Sequence, residues 1–490
     1  MLAQVEGRAK MLTKISEPPG QLLRWEIPRS TGGPGVSQVQ EPLWPRRNYK
    51  IPKRRNPETP EHEAGMKSIQ KVIIIGGGPA GVAAALHLKQ KNQISCAVYE
   101  VRSEPTTLGG AIGIPSNGLR LLQRMGLSDA MMAKGSETSM LNFHSLKGDD
   151  MGHLDMASWS RQQTGFGYLR IRRTDLMDVF FDAANKAEIP VHFNKRLTKI
   201  EEKNDQVTVF FSDGTSDTGD LLLGCDGIHS TVRKLYVDPD CTPQYSGISN
   251  VFSLVPTSKL PPAASSLDAL HATLTSDGMF GISPATTARD IVYWFFSREI
   301  AMPTTGDTRD GWEQRGKDEG GKDEVDNMKS TFLDLLGDAN SEWVNTLKEV
   351  VHKTDVMKFY PIFKIPTGRP WSKGRCLIMG DAAHAMPPHA SQGVSMALED
   401  VFLFSKLLTQ DSKDLGELLQ AYESKRKTRT EQMLKTAERN GDVRKKKTSL
   451  RLRVNELAIS SGLWVFEKVG LDKFGIGQGP LAYDVEEEQF

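Results

Sequence analysis

Cysteine is scarce in this chain. Its four thiols, Cys96, Cys225, Cys241 and Cys376, are scattered through 490 residues and form no CxxC pair. That excludes a cysteine-built zinc site and reads as reduced thiols in a reducing compartment. Surplus charge is missing too. The 62 Lys+Arg and 61 Asp+Glu leave a net +1, so no global field draws the chain to nucleic acid or an anionic membrane. No stretch reaches the roughly 18 apolar residues of a membrane span. The closest, Val72 to Leu88, is broken by four Gly, a Pro and a His. There are no internal repeats and no GxSxG nucleophile motif. What remains is length for two or three domains and a composition, 38% hydrophobic and 25% charged, that suits a globular protein.

Residues 1–65 differ from the rest. PPG, STGGPG, EPLWPRR and KIPKRRNPETPEHE are rich in Pro, Gly and charge without a sustained period, and read as a disordered extension. The segment lacks a signal-peptide layout, and Glu6, Glu17 and Glu26 interrupt any mitochondrial presequence. A cytoplasmic protein is expected, with mitochondrial import as the alternative.

From Ser68 an ordered pattern begins. KVIIIGGG is a strand running into glycines, PAGVAAALHLKQKN a helix and CAVYE a second strand. Together they form a βαβ unit, which implies a parallel, doubly covered sheet. Helices are expected at 116–127 and 174–187, strands at 191–214 and at LLLGCDG, and a strand-rich region at 245–300. TTGDTRDGWEQRGKDEGGKDEVDN (304–327) reads as a surface loop, and 422–447 as a long basic helix whose KRK and RKKK runs form one solvated face.

Gly76-Gly77-Gly78-Pro79-Ala80-Gly81 is a GxGxxG between that first strand and helix. Gly76 permits the tight turn, Gly78 lets backbone approach a pyrophosphate, and Gly81 allows close helix–sheet packing. The helix N-terminus supplies N–H groups and partial positive charge. Glu100, 24 residues beyond Gly76, ends the second strand where an acid bonds a ribose hydroxyl. The motif leaves FAD and NAD both open.

A second constellation lies far along the chain in GRCLIMGDAAHAMPPHASQGVSMALED, from Gly374. Asp381 follows an apolar strand, and a helix start, Gln392-Gly393, follows eleven residues later. This segment resembles the GD motif of the class A flavoprotein monooxygenases, the aromatic-hydroxylase type, and is similar to fungal salicylate-hydroxylase-like enzymes. The resemblance implies that Asp381 bonds the ribose or ribitol end of FAD. It also implies that the helix starting near Gly393-Val394 turns its N–H groups to the flavin ring; many members have Asn where this chain has Ser395.

Further parts match in order over residues 68–446. LLLGCDGIHSTVRK resembles the family's DG motif through Asp226, near the pyrophosphate and tied to NAD(P)H use. IRRTDL resembles an element in which Arg173 would contact FAD. GGAIGIPSNGLRLLQRMGL resembles the segment in which Gly113 approaches the flavin. Asp226 alone equally reads as a turn cap.

The expected fold is α/β, p-hydroxybenzoate-hydroxylase-like: a Rossmann-like FAD-binding domain with an antiparallel-sheet substrate domain and C-terminal helices. Residues 68–177 form the first FAD-binding part, 178–240 a mixed region returning to that domain, and 241–370 the substrate sheet, to which 178–190 also contributes. Residues 371–410 form the second FAD-binding part and 411–490 the helical C-terminal region. The resemblance implies an NAD(P)H-dependent monooxygenase that delivers one oxygen atom of O2, through a flavin C4a-hydroperoxide, to a small aromatic, phenolic or related secondary-metabolite substrate.

A single GxGxxG suits NADH or NADPH as a visiting co-substrate. Tyr245, His271 and Trp294 are pocket candidates, the first two as catalytic groups. IVYWFF reads as core strand. His384 and His389 read as structural, no metal site is expected, and the chain is expected to be a monomer or homodimer without nucleic-acid or membrane partners. Two alternatives stay open: a same-fold flavoprotein doing epoxidation, halogenation or reduction (though the halogenase WxWxIP element is absent), and a non-enzymatic FAD-binding redox sensor.

Overall fold

The computed structural model describes residues 69–105, 109–301, 321–410 and 414–489. The expected N-terminal extension and most of the expected loop at 304–327 lie outside them.

β1 (Lys71–Ile75) is the run KVIII, buried in four of its five residues. A strand apolar on both sides belongs at the centre of a doubly covered parallel sheet. α1 (Pro79–His87) follows, with Pro79 in its first turn, where a missing N–H costs nothing. β2 (Ser95–Tyr99) returns parallel to β1, Cys96 opposite Val72. Next come β3 (Ala111–Ile114), α2 (Ser116–Arg124), β4 (Met140–His144), β5 (Asp150–Asp155), β6 (Leu169–Arg172) and α3 (Arg173–Lys186). β7 (Leu221–Gly224) pairs with β1 on its other side, again parallel. β8 (Gln244–Pro256), β9 (Leu270–Leu274), β10 (Gly278–Pro284) and β11 (Ile291–Glu299) follow, then α4 (Gly321–Leu336), α5 (Glu342–His352), β12 (Lys358–Lys364) and β13 (Cys376–Ile378). Three long helices end the chain: α6 (Gly393–Leu407), α7 (Leu415–Gly441) and α8 (Ser449–Val469).

Two sheets organise these elements. In the first, the order β13-β7-β1-β2 is wholly parallel, with short flanking strands at Ser372–Lys373 and Val191–His192. Four strands therefore end along one edge, where ligands of open α/β sheets bind. The second runs β12-β8-β11-β10-β9-β4-β5 and is antiparallel except for β9 beside β4.

Three expectations change here. The second sheet draws β4 and β5 from residues 140–155, and residues 178–186, expected in it, are helical. α3 buries Leu176, Met177, Val179, Phe180 and Ala184, a helical rather than alternating period. α4 begins inside the segment read as a loop. The basic run of α7 is not wholly solvated, because Arg426 is 0% exposed and bonds Glu399 and Asp400 of α6 at 2.8 and 2.7 Å.

The second sheet has two distinct faces. Phe280, Ile282, Trp294 and Phe296 pack on Phe332 and Leu336 of α4 and on Val344 and Leu347 of α5. Strand alternation turns Tyr293 and Phe295 the other way, where Tyr293 clusters with Ala111, Phe252 and Leu254. This inner face meets the β3–β6 ribbon.

Candidate active site

At the end of β1 the backbone leaves no room for side chains. Gly76 has φ +109°, and a Cβ there would lie 2.3 Å from the Cys225 carbonyl oxygen. A Cβ on Gly81 would lie 2.0 Å from the Gly76 carbonyl oxygen. Gly78 is different: a Cβ there meets nothing within 4 Å. It also starts α1 without a side-chain cap, so no side chain of the cap satisfies the first N–H groups of the helix. Glu100 ends β2 and is 8% exposed. Its Oε2 accepts from the Gly77 N–H at 2.7 Å and its Oε1 from the Arg102 N–H at 3.0 Å.

The end of β13 lies on the same edge. Gly380, at φ +57°, passes between α1 and α6, and a Cβ there would lie 3.2 Å from that of Ala80 and 3.4 Å from that of Ala397. Its N–H donates to Asp400 Oδ2 at 2.8 Å. The next residue, Asp381, has an exposed side chain. In the order β2-β1-β7-β13, Glu100 and Asp381 follow strands three spacings apart, about 14 Å at the usual interstrand distance. An interval of that size suits one elongated ligand lying along the edge.

α6 begins in the same way as α1. Ser391 takes the left-handed conformation, Gln392 caps without a side-chain bond, and a Cβ on Gly393 would meet nothing within 4 Å. Val394 is partly buried. Ser395 turns inward: a Cβ on Gly118 of α2 would lie 2.3 Å from its Oγ, which has no hydrogen-bond partner among the described residues.

The β3–β6 ribbon joins this helix start to the inner sheet face. Gly113 pairs with Arg170, and a Cβ on Gly113 would lie 1.8 Å from the Tyr168 hydroxyl. That hydroxyl bonds Ser391 Oγ at 2.8 Å. Arg173, first residue of α3, donates its backbone N–H to Gly110 at 3.0 Å and packs its Cδ against Gly109.

Arg170 is 6% exposed. Its guanidinium donates to the Tyr168 hydroxyl at 3.2 Å, its Nε has no partner, and no carboxylate among the described residues pairs with it. Burial pushes the neighbouring Tyr293 hydroxyl up to about 12, against the pull of the Arg170 charge. Tyr293 stays a neutral donor near pH 7. Ser283, directly opposite it on β10, holds a buried hydroxyl without a partner among the described residues.

Several sequence candidates spend their polar groups on partners within the chain. Asp226 caps its own turn: Oδ1 accepts from Ser230 Oγ at 2.5 Å, and Oδ2 from the Thr231 and Val232 N–H groups at 2.6 and 3.1 Å. Burial raises its pKa against those bonds. Trp294 points to the helices and donates to Thr354 Oγ1 at 2.9 Å. His271 lies on that same outer face, bonded to His144 at 2.9 Å and packed on Trp343. Burial first, then His144, lowers its pKa to about 4. Tyr245 uses its hydroxyl on Ser249 and the Ile300 carbonyl. Trp294 and His271 face away from the Tyr293 side of the sheet.

His384 pairs with Asp400, with Nε2 and Oδ2 2.6 Å apart. His389 is half-buried with its Nε2 enclosed, and desolvation with nearby Arg444 lowers its pKa to about 2. No metal-binding cluster of His, Cys, Asp or Glu occurs among the described residues.

These residues fit a dinucleotide whose pyrophosphate and ring each meet an uncapped helix start, at Gly78 and Gly393, with a carboxylate beyond β2 and another beyond β13. The comparisons agree. The FAD binding domain family model matches residues 70–437. A 6-hydroxynicotinate 3-monooxygenase of Pseudomonas fluorescens is 26% identical over 378 residues, 76% of this chain and 92% of that protein. A FAD-dependent urate hydroxylase of Klebsiella pneumoniae is 27% identical over 377 residues, 76% of this chain and 90% of that protein. Among solved structures, Klebsiella pneumoniae HpxO complexed with FAD and uric acid shares the fold with a TM-score of 0.69 at 23% identity, over 84% of this chain and 97% of that one. The chain belongs to the FAD-binding-domain family and is a class A FAD-dependent monooxygenase of the aromatic-hydroxylase type.

Proposed function

We propose that the protein uses NADH or NADPH and O2 to hydroxylate a small aromatic substrate carrying a phenol or another acidic group. The observation that carries this reading is Arg170: a buried guanidinium without a carboxylate partner among the described residues, beside Tyr293 on an aromatic-lined sheet face. Burying an uncompensated cation is costly, and an anionic group on the substrate would offset that cost. A phenol reacts best as its phenolate, which the Arg170 charge favours. The relatives named above act on 6-hydroxynicotinate and urate, which supports a small aromatic ring.

In this reading Gly76, Gly78 and Gly81 with the start of α1 hold the FAD pyrophosphate. Glu100 and Asp381 bond the ribose and ribitol hydroxyls. Gly113, Arg173, Gly393 and Val394 line the ring, and Asp226 shapes the turn beside them. Bound FAD, once reduced by the nicotinamide, supplies activation of O2 and transfer of one oxygen atom.

The protein's own residues orient the substrate and exclude water. Phe252, Tyr293 and Phe295 wall one side, and the Pro387-Pro388 loop, stiff at its fixed φ, walls the ring. Arg170 and Tyr293 donate to the substrate oxygen from a site of low dielectric, where such bonds count for more.

The test is NAD(P)H oxidation across a panel of phenols and aromatic acids, with product mass. Acceleration by one compound, with a product heavier by one oxygen atom, supports the reading. A FAD-loaded protein whose NADH and NADPH oxidation no aromatic compound stimulates would overturn it.

A further inference from the structure

Ten large hydrophobic side chains are strongly exposed among the described residues, and seven of them lie between Leu450 and Phe474. On α8, Leu450, Val454 and Leu457 are 75%, 56% and 69% exposed, and Trp464 is 61% exposed. The opposite side of the helix is also apolar and is already used. Leu452 and Ile459 pack on the cluster of Met151, Leu274 and Met279, Leu463 lies against Gly152, and Phe466 is buried. α8 thus carries a second apolar seam that nothing among the described residues covers.

The spacing of that seam is specific. Leu450, Val454, Leu457, Ser461, Trp464 and Lys468 follow one another by 4, 3, 4, 3 and 4 residues. This is the narrow stripe of a two-helix contact. Arg453 and Glu467, with no ion pair among the described residues, flank it on one side, each one position before a seam residue. The middle of the helix, from Ala458 to Gly462, is mostly small, with bulky Leu457 and Trp464 on either side.

We infer that α8 is the contact by which two copies of this chain pair, antiparallel about a two-fold axis near Ser460-Ser461. In that arrangement Arg453 of each copy meets Glu467 of the other, and Leu457 packs near Trp464. A parallel pairing would instead set Lys468 against Lys468 inside the seam. A single patch that complements itself is what a two-fold contact requires. An anionic bilayer fits less well. Ser449–Phe474 carries Arg451, Arg453, Lys468 and Lys473 against Glu456, Glu467 and Asp472, a net +1, and Lys468 interrupts the apolar face.

The experiment is light scattering on size-exclusion-purified holoprotein. The expected mass is twice the 54.3 kDa of the chain. Arg453→Glu and Glu467→Arg should each raise the dimer dissociation constant roughly tenfold or more, because each sets like charges opposite one another. The double variant, with the charges exchanged, should return to within roughly threefold of wild type by the same pairing. Flavin content should be unchanged in all three, and so should Tm at concentrations low enough for wild type to be monomeric, where the pairing no longer adds stability. A monomer at the highest concentration loaded overturns the inference. So does a dimer indifferent to both single exchanges, or sedimentation with phosphatidylserine vesicles in place of dimerisation.

Discussion

Gly81 and Gly76 touch: the α-carbon of the one sits where an added Cβ would come within 2.0 Å of the carbonyl oxygen of the other. Three residues earlier than Gly81, Gly78 has empty space in the same direction. The two glycines should therefore fail differently. Gly81→Ala should cost about 1–3 kcal/mol through overpacking and lower Tm by several degrees. Gly78→Ala should leave the apoprotein Tm unchanged and weaken FAD binding by roughly tenfold or more, because its methyl enters the approach path of the pyrophosphate. Thermal melts of the apoproteins and FAD fluorescence titration separate the two effects. Full FAD affinity in Gly78→Ala would count against the cradle.

The two faces of β11 give a second contrast. Trp294→Ala should cost about 3–5 kcal/mol, as for other large core truncations, yet leave kcat/KM per folded molecule nearly unchanged. Tyr293→Phe should leave stability within about 1 kcal/mol and lower kcat/KM about tenfold or more, the loss of one donor. Arg170→Met should raise KM most for substrates with an acidic group. Steady-state kinetics beside urea unfolding reads all three.

Arg426 is fully buried between two acids, with Nη1 2.8 Å from Glu399 Oε2 and Nε 2.7 Å from Asp400 Oδ1. Asp400 also holds the Gly380 N–H and His384, so the strand end that presents Asp381 depends on this pair. Arg426→Met should destabilise the protein by about 3–5 kcal/mol, because it strands buried carboxylates, and should release FAD. Arg426→Lys, which lacks the planar fork, should rescue little of either. Tm and flavin absorbance after gel filtration are the readouts.

His271 titrates near pH 4 in the folded protein, against 6.5 ordinarily, because it is buried and faces His144; Asp268 and Asp150 oppose the shift weakly. The unfolded imidazole takes up its proton first as pH falls. Stability from this group is therefore full above pH 6.5 and is lost as pH drops toward 4. The decline in Tm over that window should be shallower in His271→Asn than in wild type. An equal decline would mean that other groups dominate.

Much of this was legible in the residues. The βαβ unit was legible through KVIII, the glycines and Glu100, because the turn at Gly76 and the helix packing at Gly81 leave no room for a side chain. Asp381 was legible because a strand, an acid and a helix start stood in a fixed order. The inner face of the second sheet was not. IVYWFF is apolar at every position, so its composition hides which alternate residues face in; the sheet pairing decides that, and it put Trp294 outside and Tyr293 inside. Arg170 was hidden within LRIRR, where three arginines look alike until burial separates them. His271 looked chemical in isolation, but its partner His144 lies on a strand far away in sequence. Arg426 sat inside a run of charge that reads as surface.

One cofactor reached from two distant stretches of chain is the central claim. The direct measurement is flavin stoichiometry, from the visible absorbance per chain, in wild type, Glu100→Ala and Asp381→Ala, with circular dichroism confirming that each folds. We predict a yellow wild type and folded, largely colourless variants. Full yellow occupancy in both folded variants would contradict the convergence.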